Sequence, residues 1–150
     1  MGYRKYVIGA EEAEALIRHC RKQADDEPGE PVAIAVVDDA GEVVSCLRMD
    51  SAKPFQLELA MCKAYTASIG ELSSSAFGVR DRGWGRELAN YHEKRFTHIA
   101  GGVPIKRIDE STGREITIGG IGVSGRMPDV DERIASMSVE SLADGAGADG

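Results

Sequence analysis

The amino-acid sequence predicts a single domain of the α+β class, with a central antiparallel sheet of about five strands and helices packed around it. Three observations support this class. Apolar residues at helical spacing occur near both ends of the chain. A β-hairpin pattern follows the N-terminal one of these two helix patterns, and short β-rich runs recur after residue 95. The chain has 150 residues, 42% of them hydrophobic, which is enough to bury one core and too apolar for a disordered protein.

Residues 10–24 are predicted to form the first helix, because their apolar residues recur at intervals of three and four. This stripe consists of Ala13, Leu16, Ile17, Cys20 and Ala24. Acidic residues precede basic ones along the segment, which suits the helix dipole. His19 lies about 120° from the centre of the stripe, so we expect it at the edge of the buried face and not in the core.

The segments 32–37 and 42–49 are predicted to pair as a β-hairpin. Both are rich in β-branched residues, and an Asp/Gly-containing turn over 38–41 separates them. The first segment is apolar on both faces, which predicts a central strand covered from both sides.

A second helix is predicted over residues 55–68, opened by Pro54. Its expected buried stripe comprises Leu57, Ala60, Met61, Ala64 and Ala67. Lys63 and Thr66 fall on the opposite face, which favours a solvated lysine. Lys63 would act as a base or a Schiff-base amine only if it were buried enough to lose its proton.

Residues 71–95 have the least regular pattern. They are predicted to form a long loop with one short helix around residues 86–91. Short strands are expected over 96–99 and 103–107, and a longer one over 115–123.

The C-terminal part is predicted to be a helix that begins at Pro128, because proline followed by acidic residues is typical of a helix start. Residues 144–150 are rich in glycine and are predicted to be a disordered tail. The folded domain is therefore expected to comprise residues 1–143.

Charge and composition exclude some functions. The formal net charge of −7 argues against binding nucleic acid through bulk charge, and no apolar run reaches the roughly 18 residues that span a membrane. The N-terminal segment lacks the pattern of a secretory signal, so we expect a cytoplasmic location. The three cysteines form no CxxC pair, which favours buried free thiols. Residues 80–98 carry five basic and three acidic residues, which suits a small anionic ligand.

Two glycine-rich runs, 101–105 and 119–125, are candidate ligand contacts. Glycine allows close backbone approach and can present N–H groups to a ligand, but composition alone favours bulges or bends where strands cross a helix. Neither run matches a phosphate-binding loop. Ser124, just before the predicted last helix, could leave backbone N–H groups free for an anion.

A polar cluster of Arg48, Asp50 and Lys53 follows the end of a predicted strand, where ligand contacts are common. An ion pair that orders the turn is an equally good interpretation. The histidines at 19, 92 and 98 have no metal-binding spacing, and no GxSxG motif supports hydrolase chemistry.

Five motifs, in order along the chain, resemble the GlcG/HbpS haem-binding family. They are PVAIAVVD at 31–38 with Gly41, RMD at 48–50, KAYTA at 63–67, GGVP at 101–104, and GIGVSG at 120–125 with Asp131 and Glu132. The segment 71–98, which contains Trp84 and many charges, differs from the short connection usual in that family.

The resemblance implies a profilin- or PAS-like α+β fold, a homo-oligomer, and haem or another tetrapyrrole as the ligand. Family members include the haem-binding C-terminal domain of PduO corrinoid adenosyltransferases. In that group a histidine of the leading helix ligates haem, and His19 occupies a similar place, so it is the candidate ligand of the haem iron. The remaining candidate ligand-binding residues are Arg48, Lys63, Thr66, Gly101, Gly102, Gly122 and Ser124.

Three functions follow as hypotheses. The first is a haem- or tetrapyrrole-binding protein without turnover, which would be a carrier, a sensor or an accessory to catabolism. The second is a lyase or isomerase of a small hydroxy- or oxo-acid, with Arg48 on the carboxylate, Lys63 or Asp50 moving a proton, and glycine N–H groups steadying an enolate. The third is a purely structural subunit of an oligomer.

Overall fold

The computed structural model of the protein describes residues 2–148. Four α-helices, one short 3-10 helix and four strands occur in the described part of the chain. In order they are α1 (Ala10–Asp26), β1 (Ala33–Asp38), β2 (Val43–Arg48), α2 (Pro54–Gly70), α3 (Ser74–Gly83), the 3-10 helix Leu88–Asn90, β3 (Gly102–Asp109), β4 (Arg114–Ser124) and α4 (Pro128–Ala148).

The four strands form one antiparallel sheet in the order β2-β1-β4-β3. Apolar side chains of alternate sheet residues enter two separate cores. On one face Ile34, Val36, Ile121 and Val123 pack with residues of α1 and α4, and on the other Ala33, Ala35 and Val37 pack with α2. The prediction of an α+β domain with a central, doubly covered β1 is confirmed.

The described residues contain four strands instead of the expected five, because residues 96–99 do not form one. The N–H of Thr97 donates to Oγ1 of Thr66 on α2 over 2.9 Å, and the ring of Phe96 stacks on Phe77 with centroids 5.1 Å apart. This segment is therefore attached to α2 and α3 through side chains, and no strand pairs with it.

Helix α3 replaces the first part of the predicted loop 71–95. The side chain of Ser73 accepts the N–H of Ala76 and caps the helix, and the buried ring of Phe77 anchors it. The predicted helix around 86–91 is only the 3-10 helix. A helix with so few apolar residues has no stripe by which periodicity could detect it.

Helix α2 lies so close to the sheet that glycine is required beneath it. A Cβ added to Gly122 would lie 2.0 Å from the carbonyl oxygen of Ala60, and one added to Gly102 would lie 2.1 Å from that of Lys63. Segment 96–99 covers Tyr65 and Thr66, and Lys63 lies against β4 and α4, so residues from Lys63 to Ser68 are all buried. The prediction that Lys63 and Thr66 face solvent is therefore wrong.

The last helix extends further than expected. α4 is described through Ala148 and thus includes most of the predicted disordered tail, whereas Asp149 and Gly150 lie outside the described residues. Neither α4 nor any other helix within residues 2–148 combines the length and the apolar character needed to cross a membrane.

The cysteines are free but not all buried. Cys20 is in the core, Cys62 is half-buried and Cys46 is exposed. The expectation of burial is wrong for Cys46 because β2 is an edge strand whose side chains alternate between partial burial and solvent.

Candidate functional site

A groove lies between α1 and α4 on one face of the sheet. The two helices run in opposite directions, since Glu27, just after the end of α1, pairs with Arg133 of α4, while His19 of α1 pairs with the later Ser138. We call this groove the α1–α4 groove, and it contains a cavity of about 340 Å³. Its walls are Glu12, Ala15 and Leu16 of α1, Ser138, Ser141, Leu142 and Gly145 of α4, and Arg107 of β3.

His19 continues the α1 wall of the groove. Glu12, Ala15, Leu16 and His19 follow the spacing of one helix face, and the imidazole of His19 is half-buried. Its Nδ1 lies 2.9 Å from Oγ of Ser138, which also lines the groove. The position at the edge of the buried stripe thus places His19 at the contact between α1 and α4.

Ser138 lies at the centre of a small hydrogen-bond network with His19 and Cys20. Its hydroxyl oxygen lies 3.0 Å from the carbonyl oxygen of Ile134, 2.9 Å from Nδ1 of His19 and 2.9 Å from Sγ of Cys20. Burial raises the pKa of the Cys20 thiol to about 12, and this thiol can donate to Ser138 or to the carbonyl oxygen of Ile134. When Nδ1 of His19 carries a proton and donates it to Ser138, Nε2 of the neutral ring has the lone pair that a metal would bind.

The other end of the groove is charged. Nη2 of Arg107 donates to Oε2 of Glu12, and Oε1 of Glu12 accepts the N–H of Gly9 just before α1. This end is partly exposed, with 40% of the Arg107 side chain and 29% of the Glu12 side chain accessible.

Lys63 lies away from this groove, inside the junction of α2, β4 and α4. Its ammonium group donates to the carbonyl oxygen of Val123 over 2.9 Å and to Oδ2 of Asp131 over 3.2 Å. Asp131 also accepts the N–H groups of Gly125 and Arg126. Burial lowers the pKa of Lys63 and raises that of Asp131, and each shift is opposed by the charge of the other group.

Thr66 and Ser124 have protein partners as well. The hydroxyl of Thr66 donates to the carbonyl oxygen of Cys62 and accepts the N–H of Thr97, and Ser124 donates to Oε1 of Gln56. Both hydroxyl groups thus connect α2 to its surroundings.

The glycine candidates border the same junction. The N–H of Gly102 donates to Oγ of Ser74, and the carbonyl oxygen of Gly101 accepts the N–H of Val123. Gly122 lies within β4 opposite Ala35 and Gly102. The structure therefore brings Lys63 close to Gly101 and Gly102, whereas Ser124 contacts α2 at Gln56, ten residues before Thr66. The polar groups of this set are bonded to the protein itself.

Arg48 and Asp50 are found elsewhere, at the end of β2. Arg48 donates to the carbonyl oxygen of Ala52 over 2.8 Å, which orders the turn. The two residues line a separate cleft of about 220 Å³ together with Arg21 and Asp25 of α1, and neither Lys63 nor Thr66 lines it. The residue set of the lyase or isomerase hypothesis is thus divided between a surface cleft and a buried junction.

A second polar cluster lies in segment 71–98. Asp81 is fully buried, and its carboxylate accepts the hydroxyl of Tyr91 and contacts Nε2 of His98, each over 2.7 Å. Burial raises the pKa of Asp81, but the hydrogen bonds from Tyr91 and His98 outweigh it and hold that pKa below its usual value.

An alternating stack of rings and guanidinium groups adjoins this cluster. The guanidinium of Arg80 lies 4.7 Å from the ring centroid of Phe77 and 5.0 Å from that of Trp84, and Arg86 lies 4.8 Å from Trp84. The stack runs from the buried Phe77 to the exposed Trp84 and fixes the side chains that follow α3.

The sequence-based prediction assigned no site role to four of these residues: Cys20 as a thiol donor, Arg107, Asp131 and Ser138. Ser138 had a detectable signal, because it stands four residues after Ile134 and four before Leu142, and a serine on an apolar helix stripe requires a buried partner. Arg107 had no such signal, since its role depends on α1, which is distant in sequence.

The protein is thus an α+β domain that has a ligand-sized groove between two helices, with a histidine at the edge of this groove. The chain belongs to the HbpS-like family, whose members are described as haem-degrading proteins and whose model matches residues 8–140. The resemblance drawn from the five motifs is confirmed.

Several solved structures share this fold. A double mutant of Streptomyces reticuli HbpS is 27% identical, with a TM-score of 0.81 over 94% of this chain and 90% of the other. The PduOC protein, solved as a haem complex, is 25% identical, with a TM-score of 0.75 over 89% and 94%. Klebsiella pneumoniae ORFY, 21% identical, has a TM-score of 0.81 over 95% and 94%. A search of curated protein sequences gives no significant match.

Proposed function

We propose that the protein binds haem, or a closely related tetrapyrrole, at the α1–α4 groove, with His19 as the ligand of the iron. The observation that carries this proposal is the half-buried imidazole of His19 at the α1–α4 contact, whose Nδ1 lies 2.9 Å from Oγ of Ser138, so that Nε2 is the ring nitrogen left for a metal. Membership of the HbpS-like family and the similarity to a haem complex support it.

The residues of the groove fit such a ligand. A histidine that ligates a metal almost always donates its other ring N–H to a second protein group, and Ser138 lies 2.9 Å from Nδ1 of His19, where it could accept such a bond. The apolar wall of Ala15, Leu16 and Leu142 suits the edge of a macrocycle. When bound, haem would supply an iron centre able to coordinate a further small ligand or exchange an electron.

The volume of about 340 Å³ lies near the lower end of the range for small-molecule sites, roughly 300–1,000 Å³. We therefore expect one edge of the tetrapyrrole to enter the groove, with the remainder extending beyond it. The homo-oligomer implied by the family resemblance would place a second subunit where it could cover that remainder. Light scattering coupled to size-exclusion chromatography, with and without haemin, tests this expectation, and a monomer in both states would contradict it.

A haemin titration tests the iron ligand. The wild-type protein is expected to shift the Soret band of haemin, and His19→Ala should weaken binding and change the band. His92→Ala is the matched control, because His92 is exposed and lies in the segment that follows the 3-10 helix. A free-haemin spectrum with the wild-type protein, or an unchanged band in His19→Ala, would contradict the proposal.

We further propose that the protein acts as a cytoplasmic carrier, sensor or accessory to catabolism and does not itself turn haem over. Three free cysteines suit a reducing compartment. The family description makes haem degradation the activity to test against. Bound haemin mixed with ascorbate under air should keep its Soret band, and a loss that is faster than for free haemin would contradict the proposal.

A further inference from the structure

We propose that Arg107 is an anchor for a carboxylate of the ligand in the α1–α4 groove, and that Glu12 competes with that carboxylate for the same guanidinium. This inference rests on the proposed function, because it assigns a second contact to the same ligand. It commits to the chemistry of the ligand: an apolar ring system that carries carboxylate side chains.

The position of Arg107 in the fold is the first argument. It reaches the groove from β3, whereas the two walls come from helices. It also lines a neighbouring cavity of about 280 Å³ between β3 and α4, and Leu142 borders both spaces. A ligand that extends from one cavity towards the other must therefore pass the guanidinium.

The separation along the groove is the second argument. Glu12 precedes His19 by seven residues, which is two turns or about 10 Å of helix. Ala15 and Leu16 occupy the intervening wall. The groove thus has an imidazole at one end, an apolar surface in the middle and a cation at the other end.

The donors of Arg107 are the third argument. Its hydrogen bond to Glu12 is made by Nη2, and a guanidinium has five N–H donors in total, so a second carboxylate can bind alongside. Because the end of the groove is partly exposed, the Glu12 side chain can move aside without burying an unpaired charge.

Iron-free protoporphyrin IX is the probe that separates this contact from iron ligation. Binding is measured by porphyrin fluorescence for the free acid and for its dimethyl ester. Arg107→Gln should bind the free acid about tenfold more weakly, the loss expected for one charge-assisted hydrogen bond, and should bind the ester as the wild type does. Arg114→Gln is the matched control, because Arg114 is an exposed arginine on the adjacent strand β4 and the change in charge is identical.

The variant Glu12→Gln tests the competition for Arg107, and the expected change in affinity has the opposite sign. Glutamine keeps a side-chain oxygen for the N–H of Gly9 at the helix start but removes the competing charge. This variant should bind the free acid more tightly than the wild type, by about threefold if one exposed ion pair is removed. Circular dichroism of each variant shows whether it is folded before binding is compared.

The outcomes distinguish this inference from the proposed function. Equal losses of affinity for the free acid in Arg107→Gln and Arg114→Gln, or equal binding of acid and ester by the wild type, would overturn the role of Arg107. Neither result would contradict the role of His19 as the iron ligand. An unchanged haemin spectrum in His19→Ala, together with a specific loss in Arg107→Gln, would overturn the iron ligand and support the anchor. Absence of any porphyrin binding would overturn both.

Discussion

The ammonium nitrogen of Lys63 lies 3.2 Å from Oδ2 of Asp131, and both side chains are 1% exposed. Lys63 belongs to α2 and Asp131 to the first turn of α4, and these helices cover opposite faces of the sheet. The pair therefore connects the two helical layers beyond the end of β4. The near-complete burial of Lys63 and its ion pair show that this lysine is not solvated and that it contributes to the packing of the two layers.

Removing one member of this pair should destabilise the fold strongly. Lys63→Met leaves the Asp131 carboxylate buried without its counter-charge, which typically costs about 3–5 kcal/mol. Urea denaturation followed by circular dichroism measures the loss. The double variant Lys63→Met/Asp131→Leu should recover part of it, and Lys53→Met, at an exposed lysine, should change little. A loss in Lys63→Met no larger than in Lys53→Met would show that the pair contributes nothing.

Close packing of α2 on the sheet predicts a strong glycine requirement at one position. Gly122→Ala places a methyl group 2.0 Å from the carbonyl oxygen of Ala60, so the helix must shift, at a cost of about 1–3 kcal/mol. Gly83→Ala is the control, because a Cβ there meets nothing within 4 Å and alanine favours the end of α3. Thermal unfolding of both variants checks the contrast, and similar midpoints would contradict it.

The cluster of Asp81, Tyr91 and His98 predicts that part of the free energy of unfolding depends on pH in the acidic range. Hydrogen bonds from Tyr91 and His98 hold the folded-state pKa of Asp81 below its usual 3.8. The contribution of Asp81 to the free energy of unfolding is therefore fully present above pH 3.8 and is lost as the pH falls through the lower folded-state pKa. Asp81→Asn should be less stable than the wild type by about 1.5–3 kcal/mol near neutral pH. The difference should shrink between about pH 4 and about pH 2 in urea titrations. A difference that is independent of pH would contradict the assignment.

Ser138 should control how well His19 binds a metal. Ser138→Ala removes the acceptor for Nδ1–H of His19, and loss of such a supporting hydrogen bond typically weakens metal binding by about 10- to 100-fold. Haemin titration measures this, and the Soret band should also move because the imidazole is free to reorient. Ser141→Ala is the control, since Ser141 lines the same groove one turn further along α4. Equal affinities in the two variants would exclude a positioning role for Ser138.

The elements that sequence predicts well are those whose signal is local. The stripe of α1 and the apolar β1 each contain enough periodic residues to define their faces, and both are found as expected. The burial of Lys63 has no local signal, because its partner Asp131 is 68 residues away and its other partner, the carbonyl oxygen of Val123, is 60 residues away. The α1–α4 groove is a product of tertiary packing, and only His19 and the serine on the α4 stripe hint at it.

The stack from Phe77 to Trp84 has a practical consequence. Trp84 is the only tryptophan of the chain, is 61% exposed and is held between the guanidinium groups of Arg80 and Arg86. Its fluorescence is therefore a reporter for one corner of the molecule, the side of the sheet that carries α2 and α3. Because α1 and α4 occupy the other side, a chromophore bound there could quench this emission only through space, across the sheet. During denaturation, an early change in the emission would show that α3 is released before the core unfolds.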